Sequence, residues 1–273
     1  MTDISLNAAT RQSVTLLQRS ADLRAETTRR LASGLRIERV NDGPSSYFQA
    51  QGLRNRVQDL LAAKDDIGQA ASAVESSLAG LDAIENLSQQ LKGLTLAAKG
   101  GTTEQRQAAA QQFDDLRNQI SALAEDAGYN GTNLISANPG ELDVSLNESG
   151  SSNLTISGTA ADSHTLGIGT AAGDYNSFAS DADLDAAVAG IDAAIAGVRS
   201  RAAGLGSSVA TLQVRDDFTR DLTNTLDAGA AKLVQADLNA EGAKLLSSQV
   251  REQLGTESLR IATQSQSLIA NLL

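Results

Sequence analysis

The chain has 273 residues and a formal net charge of −11; 41% of its residues are hydrophobic, but only 3% are aromatic and none is tryptophan. The apolar content is mostly Ala, Leu, Val and Ile, which is typical of long helices packed through narrow seams. Cysteine is absent, and this excludes disulfides, thiolate nucleophiles and Cys-ligated metals. The single histidine, His164, leaves no two-histidine metal motif, and no nucleotide-binding glycine motif occurs. We therefore expect a protein that is not an enzyme and that has no cofactor.

Charge is unevenly distributed along the chain. Between Arg117 and Arg199 there is no Lys or Arg, whereas this interval contains eleven Asp and Glu residues. Because no basic patch is present, the charge distribution argues against nucleic acid as a partner, and the acidic interval is expected to be a solvated outer face. No apolar run approaches the roughly 18 residues that a membrane span requires, so we expect no membrane insertion.

The N-terminal part predicts a helix that is too weak to fold alone. Val14, Leu17, Ala21 and Leu31 form a sparse apolar seam. Gly34 then suits the end of a helix, and the run Asn41-Asp-Gly-Pro44 suits a turn.

Two strongly patterned helices are expected next. Apolar residues recur every three or four positions from Ile67 to Ala98, after which Gly100-Gly101 ends the helix. Thr102 and Gln105 have the spacing of a capping box for a second helix, which is expected to end at Gly128.

The middle of the chain has a different character. Residues 129–180 are rich in Gly, Ser, Thr, Asn and Asp, and they contain short alternating runs at 142–146, 154–156 and 166–168. These runs predict short strands that form one or two β-hairpins. His164, in the polar part of this segment, is expected to be an exposed loop residue.

The C-terminal part predicts the longest regular seam. From Leu184 to Leu212 the apolar positions alternate steps of four and three, which is heptad spacing, and helical spacing continues to Leu226. Ser180 and the acidic residues Asp181, Asp183 and Asp185 are interpreted as a cap and first-turn charges, in preference to a cation site. No charged residue follows Arg260, and the chain finishes on an apolar run.

Three stretches carry a resemblance to a known family. The block Leu31-Ala-Ser-Gly-Leu-Arg-Ile-Glu-Arg-Val-Asn-Asp-Gly-Pro-Ser-Ser46 resembles the L-S-S-G-L-R-I-N signature of bacterial flagellins and the D-D that follows it. The C-terminal stretches 236–246, 253–256 and 265–273 resemble the other end of the same family. Tyr129-Asn-Gly131 resembles the aromatic-Asn-Gly that closes the family's N-terminal region. The matches stand in the family's order and span most of the chain.

The resemblance implies a mainly α fold. Long antiparallel helices would form a coiled-coil-like rod with a small β-hairpin region at its tip, and the termini would pair as helices in a filament. The implied segments are an inner-layer N-terminal helix (1–42), the first half of the rod (43–135) and a short, variable, acidic β/turn region facing solvent (136–180). The second half of the rod (181–232) and an inner-layer C-terminal helix (233–273) would complete the chain.

The function implied is that of a structural subunit of the flagellar filament. The protein would be secreted through the type III export apparatus without a cleaved signal peptide, consistent with the lack of a basic and apolar leader pattern at residues 1–7. Its partners would be copies of itself, hook-associated and cap proteins, and an export chaperone at the C-terminal end. The residues assigned to assembly and interaction are Leu31, Gly34, Leu35, Arg36, Ile37, Asn41, Asp42, Asn130, Gly131, Leu254, Gly255, Leu268, Ile269, Leu272 and Leu273.

Two alternatives remain open at this point. A hook–filament junction protein shares such terminal helices but is not the repeating subunit of the filament. A cytosolic coiled-coil scaffold is a more distant alternative, because an acidic centre and an uncharged C-terminal end fit it poorly.

Overall fold

The computed structural model describes residues 8–270, with side chains described from residue 11 to 261 and at 263 and 264. The prediction of a mainly α fold with a small antiparallel hairpin is confirmed. The elements, in chain order, are α1 (Ala8–Ser33), α2 (Pro44–Ala98), α3 (Thr103–Asp126), β1 (Glu141–Ser145), β2 (Asn153–Ser157), α4 (Asp181–Val234) and α5 (Leu238–Ala270).

The chain divides into two compact units. The terminal unit contains the residues up to 55 and those from 225 onward, and the central unit contains residues 56–224. Helices α2 and α4 contribute to both units. The five-segment division expected from the sequence is finer than this and remains a prediction.

The predicted apolar seams form the core of the central unit. On α2, Ile67, Leu81 and Leu91 are fully buried, and on α4 so are Leu184 and Ile191. Polar residues of α2 also enter this core, at Ser77, Ser88 and Thr95. The hydroxyl of each donates to the carbonyl four residues earlier, so none of these three buried hydroxyls is left unsatisfied.

Ion pairs show how α2 and α4 run relative to each other in the central unit. Three pairs occur at seven-residue intervals on both helices: Lys99–Asp185, Lys92–Asp192 and Glu85–Arg199. Because the number rises on α4 as it falls on α2, the two helices are antiparallel. The seven-residue interval is the heptad repeat that the apolar seam of α4 predicts.

The predicted helix caps are present. The Thr102 hydroxyl accepts from the Gln105 N–H, while the Gln105 side chain accepts from the Thr102 N–H. At the start of α4, the Ser180 hydroxyl accepts from the Asp183 N–H at 3.3 Å, and Asp183 Oδ2 accepts from the Ser180 N–H at 2.8 Å. The Ser180 side chain and backbone N–H thereby hold the pKa of Asp183 below its ordinary value. The cap interpretation is therefore supported over a cation site.

The middle segment forms one hairpin. Strands β1 and β2 are antiparallel, with Val144 opposite Leu154 and Leu142 opposite Ile156. The prediction of a strand at 166–168 is wrong, because these residues belong to a turn and the loop that follows it. The carboxylate of Asp162 accepts from the backbone N–H groups of His164 and Thr165, and these bonds wind the chain into a turn in place of an extended strand.

The same segment is more buried than its polarity predicts. Phe178 and Tyr175 pack edge-to-face against Phe113 of α3, with ring centroids 5.3 and 5.7 Å apart. Ile168 is also buried, although His164 is exposed as expected. The acidic interval therefore does not form only a solvated face, because its few large apolar residues belong to the core. None of the described helices has a stretch long and apolar enough to cross a membrane.

Candidate assembly surface

Gly34 ends α1 in the terminal unit and turns the chain back. Its φ is +70°, and its N–H donates to the Arg30 carbonyl at 2.9 Å. Glycine adopts this left-handed conformation without the steric cost that a Cβ would add. The helix end predicted at this residue is therefore confirmed.

The residues after Gly34 bind the connection between α4 and α5. The N–H groups of Arg36 and Ile37 both donate to the Val234 carbonyl, at 2.7 and 3.1 Å, and the Ala236 N–H donates to the Gly34 carbonyl at 2.9 Å. Leu35 forms a β-bridge with Gln235. This linker junction joins the two ends of the chain through backbone hydrogen bonds.

Side chains reinforce the junction. Arg36 Nη2 donates to the Leu233 carbonyl at 3.1 Å. Ile37 is 3% exposed and packs in a small cluster with Ala50, Ala230 and Val234. Of the residues expected to take part in assembly, Leu35, Arg36 and Ile37 thus serve to hold the chain ends together.

The loop that follows is fixed by Asp42. Its carboxylate accepts from the backbone N–H groups of Arg39 and Glu38, at 2.9 and 3.1 Å. These bonds, that from Arg39 foremost, hold the pKa of Asp42 below its ordinary value. Pro44 then begins α2, where its missing N–H costs nothing. Asn41 is exposed beside Asp42.

Helices α1 and α5 pack against each other as an antiparallel pair. Arg24 pairs with Glu252 at 2.9 Å, while Arg30, later in α1, lies 3.6 Å from Glu241, earlier in α5. A Cβ added to Gly255 would meet the Leu17 side chain at 2.7 Å, so glycine allows close approach there. The prediction that the termini pair as helices is confirmed for the described residues.

The seam between α1 and α5 is partly polar. Thr27, Glu241 and Ser248 are buried in the described part of this unit. Glu241 accepts from Lys244 at 2.7 Å, and its Oε2 has no hydrogen-bond partner among the described residues. A seam of this composition buries little apolar surface, which agrees with the weak pattern of the sequence.

Large apolar side chains remain exposed on this helix pair. On α5, Leu246, Val250, Leu254 and Ile261 share one face through spacings of four, four and seven residues, and each is at least half exposed. Leu16 and Leu23 of α1 are exposed as well, and with Leu254 they line a groove of about 480 Å³. These six residues are called the apolar stripe below. Leu31 is half-buried.

The remaining expected site residues lie in the central unit or outside the described residues. Asn130 and Gly131 belong to the central unit, where their φ values of +47° and +83° form a two-residue turn between Tyr129 and Thr132. The side chains of Leu268 and Ile269, and the whole of Leu272 and Leu273, lie outside the described residues. Among the described residues, no group of three or more potential metal ligands occurs.

Sequence reasoning missed several residues that organise these regions. Val234 and Gln235 receive the N-terminal linker, and nothing in their sequence marks them for it. In the central unit, Asn133 donates to the Ala124 and Glu125 carbonyls at 2.8 and 2.9 Å. An asparagine directly after a helix and an Asn-Gly turn was the available signal for this role.

A chain whose two terminal helices pair, and whose pair leaves an apolar stripe in solvent, has the architecture of a self-assembling helical subunit. Comparison with known proteins gives the family. The model of the bacterial flagellin N-terminal helical region matches residues 4–139. The chain is 32% identical to flagellin FljM of Caulobacter vibrioides over 261 residues, covering 94% of each chain. It is 28% identical to a flagellin of Brucella melitensis over 253 residues, covering 90% of each.

The chain belongs to the flagellin family. It is accordingly a structural subunit of the bacterial flagellar filament, an extracellular assembly in which flagellin polymerises with itself. A solved structure of a putative flagellar hook-associated protein from Vibrio parahaemolyticus gives a TM-score of 0.57 at 16% identity, covering 71% of this chain and 100% of that one. That likeness concerns the fold alone, and neither the hook-junction nor the scaffold alternative is supported.

Proposed function

We propose that the terminal unit supplies the contacts that drive filament assembly, through burial of the apolar stripe against neighbouring copies. The observation that carries this proposal is the exposure of Leu246, Leu254 and Ile261, which are 66%, 66% and 59% exposed on one face of α5. Contiguous apolar surface of this kind is unusual on a protein that works alone.

Burial of the apolar stripe would contribute favourable free energy to a contact between copies. Full burial of a large aliphatic side chain stabilises by roughly 1.5–3 kcal/mol, so covering the exposed half of one contributes about 1 kcal/mol. Six such residues on each copy contribute several kcal/mol, and every copy both gives and receives contacts. Open, head-to-tail contacts of this type produce a filament and not a closed ring.

We infer that the last apolar residues also take part in assembly. Leu268, Ile269, Leu272 and Leu273 form an uncharged, apolar run in the sequence. In this proposal, segments 1–42 and 233–273 form the inner layer of the filament. Segments 43–135 and 181–232 form the surrounding helical layer, and 136–180 faces solvent.

The partners follow from the state of the apolar stripe before and after assembly. Before assembly, an export chaperone would cover the C-terminal end, and the type III export apparatus would receive the chain. After assembly, hook-associated and cap proteins would contact the first and last copies. The support for these partners is the family membership together with an exposed surface that needs cover in the free chain.

Polymerisation of a stripe variant tests the proposal. Leu254→Gln places an amide in the stripe, and Leu61→Gln makes the same change at a 45% exposed site on α2 of the central unit. We expect seeded assembly, followed by sedimentation and electron microscopy, to fail for Leu254→Gln and to proceed for Leu61→Gln. Normal filaments from Leu254→Gln at the concentration used for the unmodified chain would overturn the proposal.

Removal of residues 269–273 tests the terminal extension. This deletes three large aliphatic side chains, worth roughly 4–9 kcal/mol if each is fully buried in the filament. We expect the truncated chain to retain its helical circular dichroism and to remain monomeric. Filaments formed by the truncated chain would show that these residues are dispensable.

A further inference from the structure

The two most exposed large apolar side chains among the described residues of the central unit lie on α4. Val214 and Phe218 lie one turn apart on α4 and are 67% and 56% exposed. Leu212 and Thr219, on another face of the same helix, are buried. Val214 and Phe218 are therefore not part of the core seam of their own unit, and they are called the apolar ridge below.

The same unit contains a groove between α2 and α3. Its apolar lining comes from Ala83 and Leu87 on α2 and from Ala122 and Leu123 on α3, and its volume is about 440 Å³. The two alanines make the walls low, so a side chain from outside can reach the leucines. The polar lining residues of this groove are Asn86, Gln119 and Asp126.

The apolar ridge and the groove cannot meet within one chain. Asp216, between Val214 and Phe218, contacts Lys64 of α2 at 3.6 Å, so the ridge lies level with residue 64. The groove begins at Ala83, 19 residues further along the same helix. At 1.5 Å per residue this separation is roughly 28 Å.

We propose that the apolar ridge of one copy docks into the α2–α3 groove of a second copy. This inference rests on self-assembly of the chain, because a filament needs two different, complementary surfaces on every subunit. The ridge and the groove are both apolar and displaced along the helices, as a head-to-tail contact requires. Arg215 follows Val214 and would bring a positive charge to a groove whose lining includes the carboxylate of Asp126.

The contact lies in the central unit and is therefore separate from the apolar stripe of the terminal unit. It would fix the relative position of neighbouring copies outside the terminal helices. Contacts on two different units would restrict the orientation of neighbouring copies more than either contact alone.

Cross-linking provides the test, since the chain has no cysteine of its own. Thr211→Cys lies one turn before the apolar ridge and leaves it intact, whereas Ala122→Cys lies on the groove wall. Both residues are exposed. The two single variants are mixed in equal amounts, polymerised on seeds and treated with a short bis-maleimide. We expect cross-linked pairs that contain one copy of each variant, identified by mass spectrometry of the joined peptides.

Filaments made from either variant alone are the matched controls. In these, the like positions on neighbouring copies should give little cross-linking. If filaments form but the mixed pairs do not exceed the pairs from single-variant filaments, the docking proposal is overturned while self-assembly stands. Absence of filaments from the unmodified chain would instead refute self-assembly itself.

A ridge substitution gives a second, independent measurement. Phe218→Ser should raise the lowest concentration that supports filament growth about tenfold, since burial of the exposed part of a Phe side chain is lost. Its thermal unfolding should change much less than its growth concentration, because more than half of Phe218 is exposed in the single copy. An unchanged growth concentration would contradict the proposal.

Discussion

Glu85 of α2 accepts from both Nε and Nη2 of Arg199 on α4, at 3.0 and 2.7 Å. The three ion pairs that connect α2 and α4 at seven-residue intervals are called rungs below. The Glu85–Arg199 rung has the reverse charge order of the other two, in which α2 supplies lysine and α4 supplies aspartate. If the helices slipped by one heptad, Lys92 would face Arg199 in one direction and Glu85 would face Asp192 in the other. The reversed rung therefore opposes slippage both ways.

A double substitution tests whether the reversed rung controls the register of the two helices without contributing much to thermal stability. Glu85→Lys with Arg199→Asp keeps three attractive rungs in the native register and removes both like-charge encounters in the slipped registers. We expect nearly unchanged thermal stability, because exposed ion pairs contribute little. We also expect more misregistered chains after rapid refolding, measured with a cysteine pair placed for the slipped register.

The single variants are the controls for that experiment. Glu85→Lys alone places a second positive charge against Arg199 in the native register and should lower the melting temperature. The idea fails if the double variant refolds with the same register fidelity as the unmodified chain.

Gly34 and Gly52 offer a matched pair of glycine-to-alanine changes in the terminal unit. Neither would place a Cβ within 4 Å of another group, but Gly34 has a φ of +70° and Gly52 lies inside α2. Gly34→Ala should destabilise by about 1–2 kcal/mol because of its left-handed backbone. Gly52→Ala should stabilise by roughly 0.5–1 kcal/mol through helix propensity. Chemical denaturation followed by circular dichroism measures both, and equal effects would contradict the backbone argument.

Asn133 joins the end of α3 to the segment that leads into the hairpin. Its amide donates to two α3 carbonyls, and its Oδ1 accepts from the N–H groups of Ile135 and Ser136, both at 2.9 Å. Asn133→Ala should destabilise the central unit by about 2–4 kcal/mol, because several partly buried backbone groups lose their partner. Asn138→Ala, at an exposed position in the same segment, is the control and should have little effect. Comparable destabilisation by both would indicate a general effect of the segment.

Acid should weaken the turn at Asp162. Burial raises the pKa of this carboxyl, but hydrogen bonds from Thr165 and His164 outweigh burial, and the net pKa lies below its ordinary value. A carboxyl with a lowered pKa in the folded state stabilises above its unfolded pKa, near 4, and this stabilisation is lost as pH falls through the folded value.

The variant Asp162→Asn checks this pH dependence. It should be less stable than the unmodified chain at neutral pH, and the difference should shrink below about pH 4 as Asp162 itself becomes protonated. Asp65→Asn removes an exposed carboxylate from α2 of the same unit and controls for the change in net charge. A stability difference that stays constant between pH 7 and pH 3 would exclude the carboxylate as the cause.

The heptad seams were readable from the sequence because local spacing alone decides which face of a helix is apolar. The cap at Thr102 and the helix end at Gly34 were readable for a similar reason, since each depends on residues only a few positions apart. The turn at 166–168, where a strand was expected, was not readable, because an alternation of only three residues is a weak signal. The carboxylate of Asp162 accepts hydrogen bonds from the backbone of this turn, and that interaction has no marker in the local pattern.

The sequence by itself determined the family, the main helices and the uncharged, apolar character of the C-terminal end, since these reside in motifs and short periodicities. Only the tertiary structure decided that Arg36 and Ile37 bind the carbonyl of Val234, and that Phe178 packs on Phe113. It also decided which apolar residues stay exposed, such as Phe218 beside the buried Thr219. These contacts join residues far apart in the chain, and their partners are selected by packing and backbone hydrogen bonding that no local pattern records.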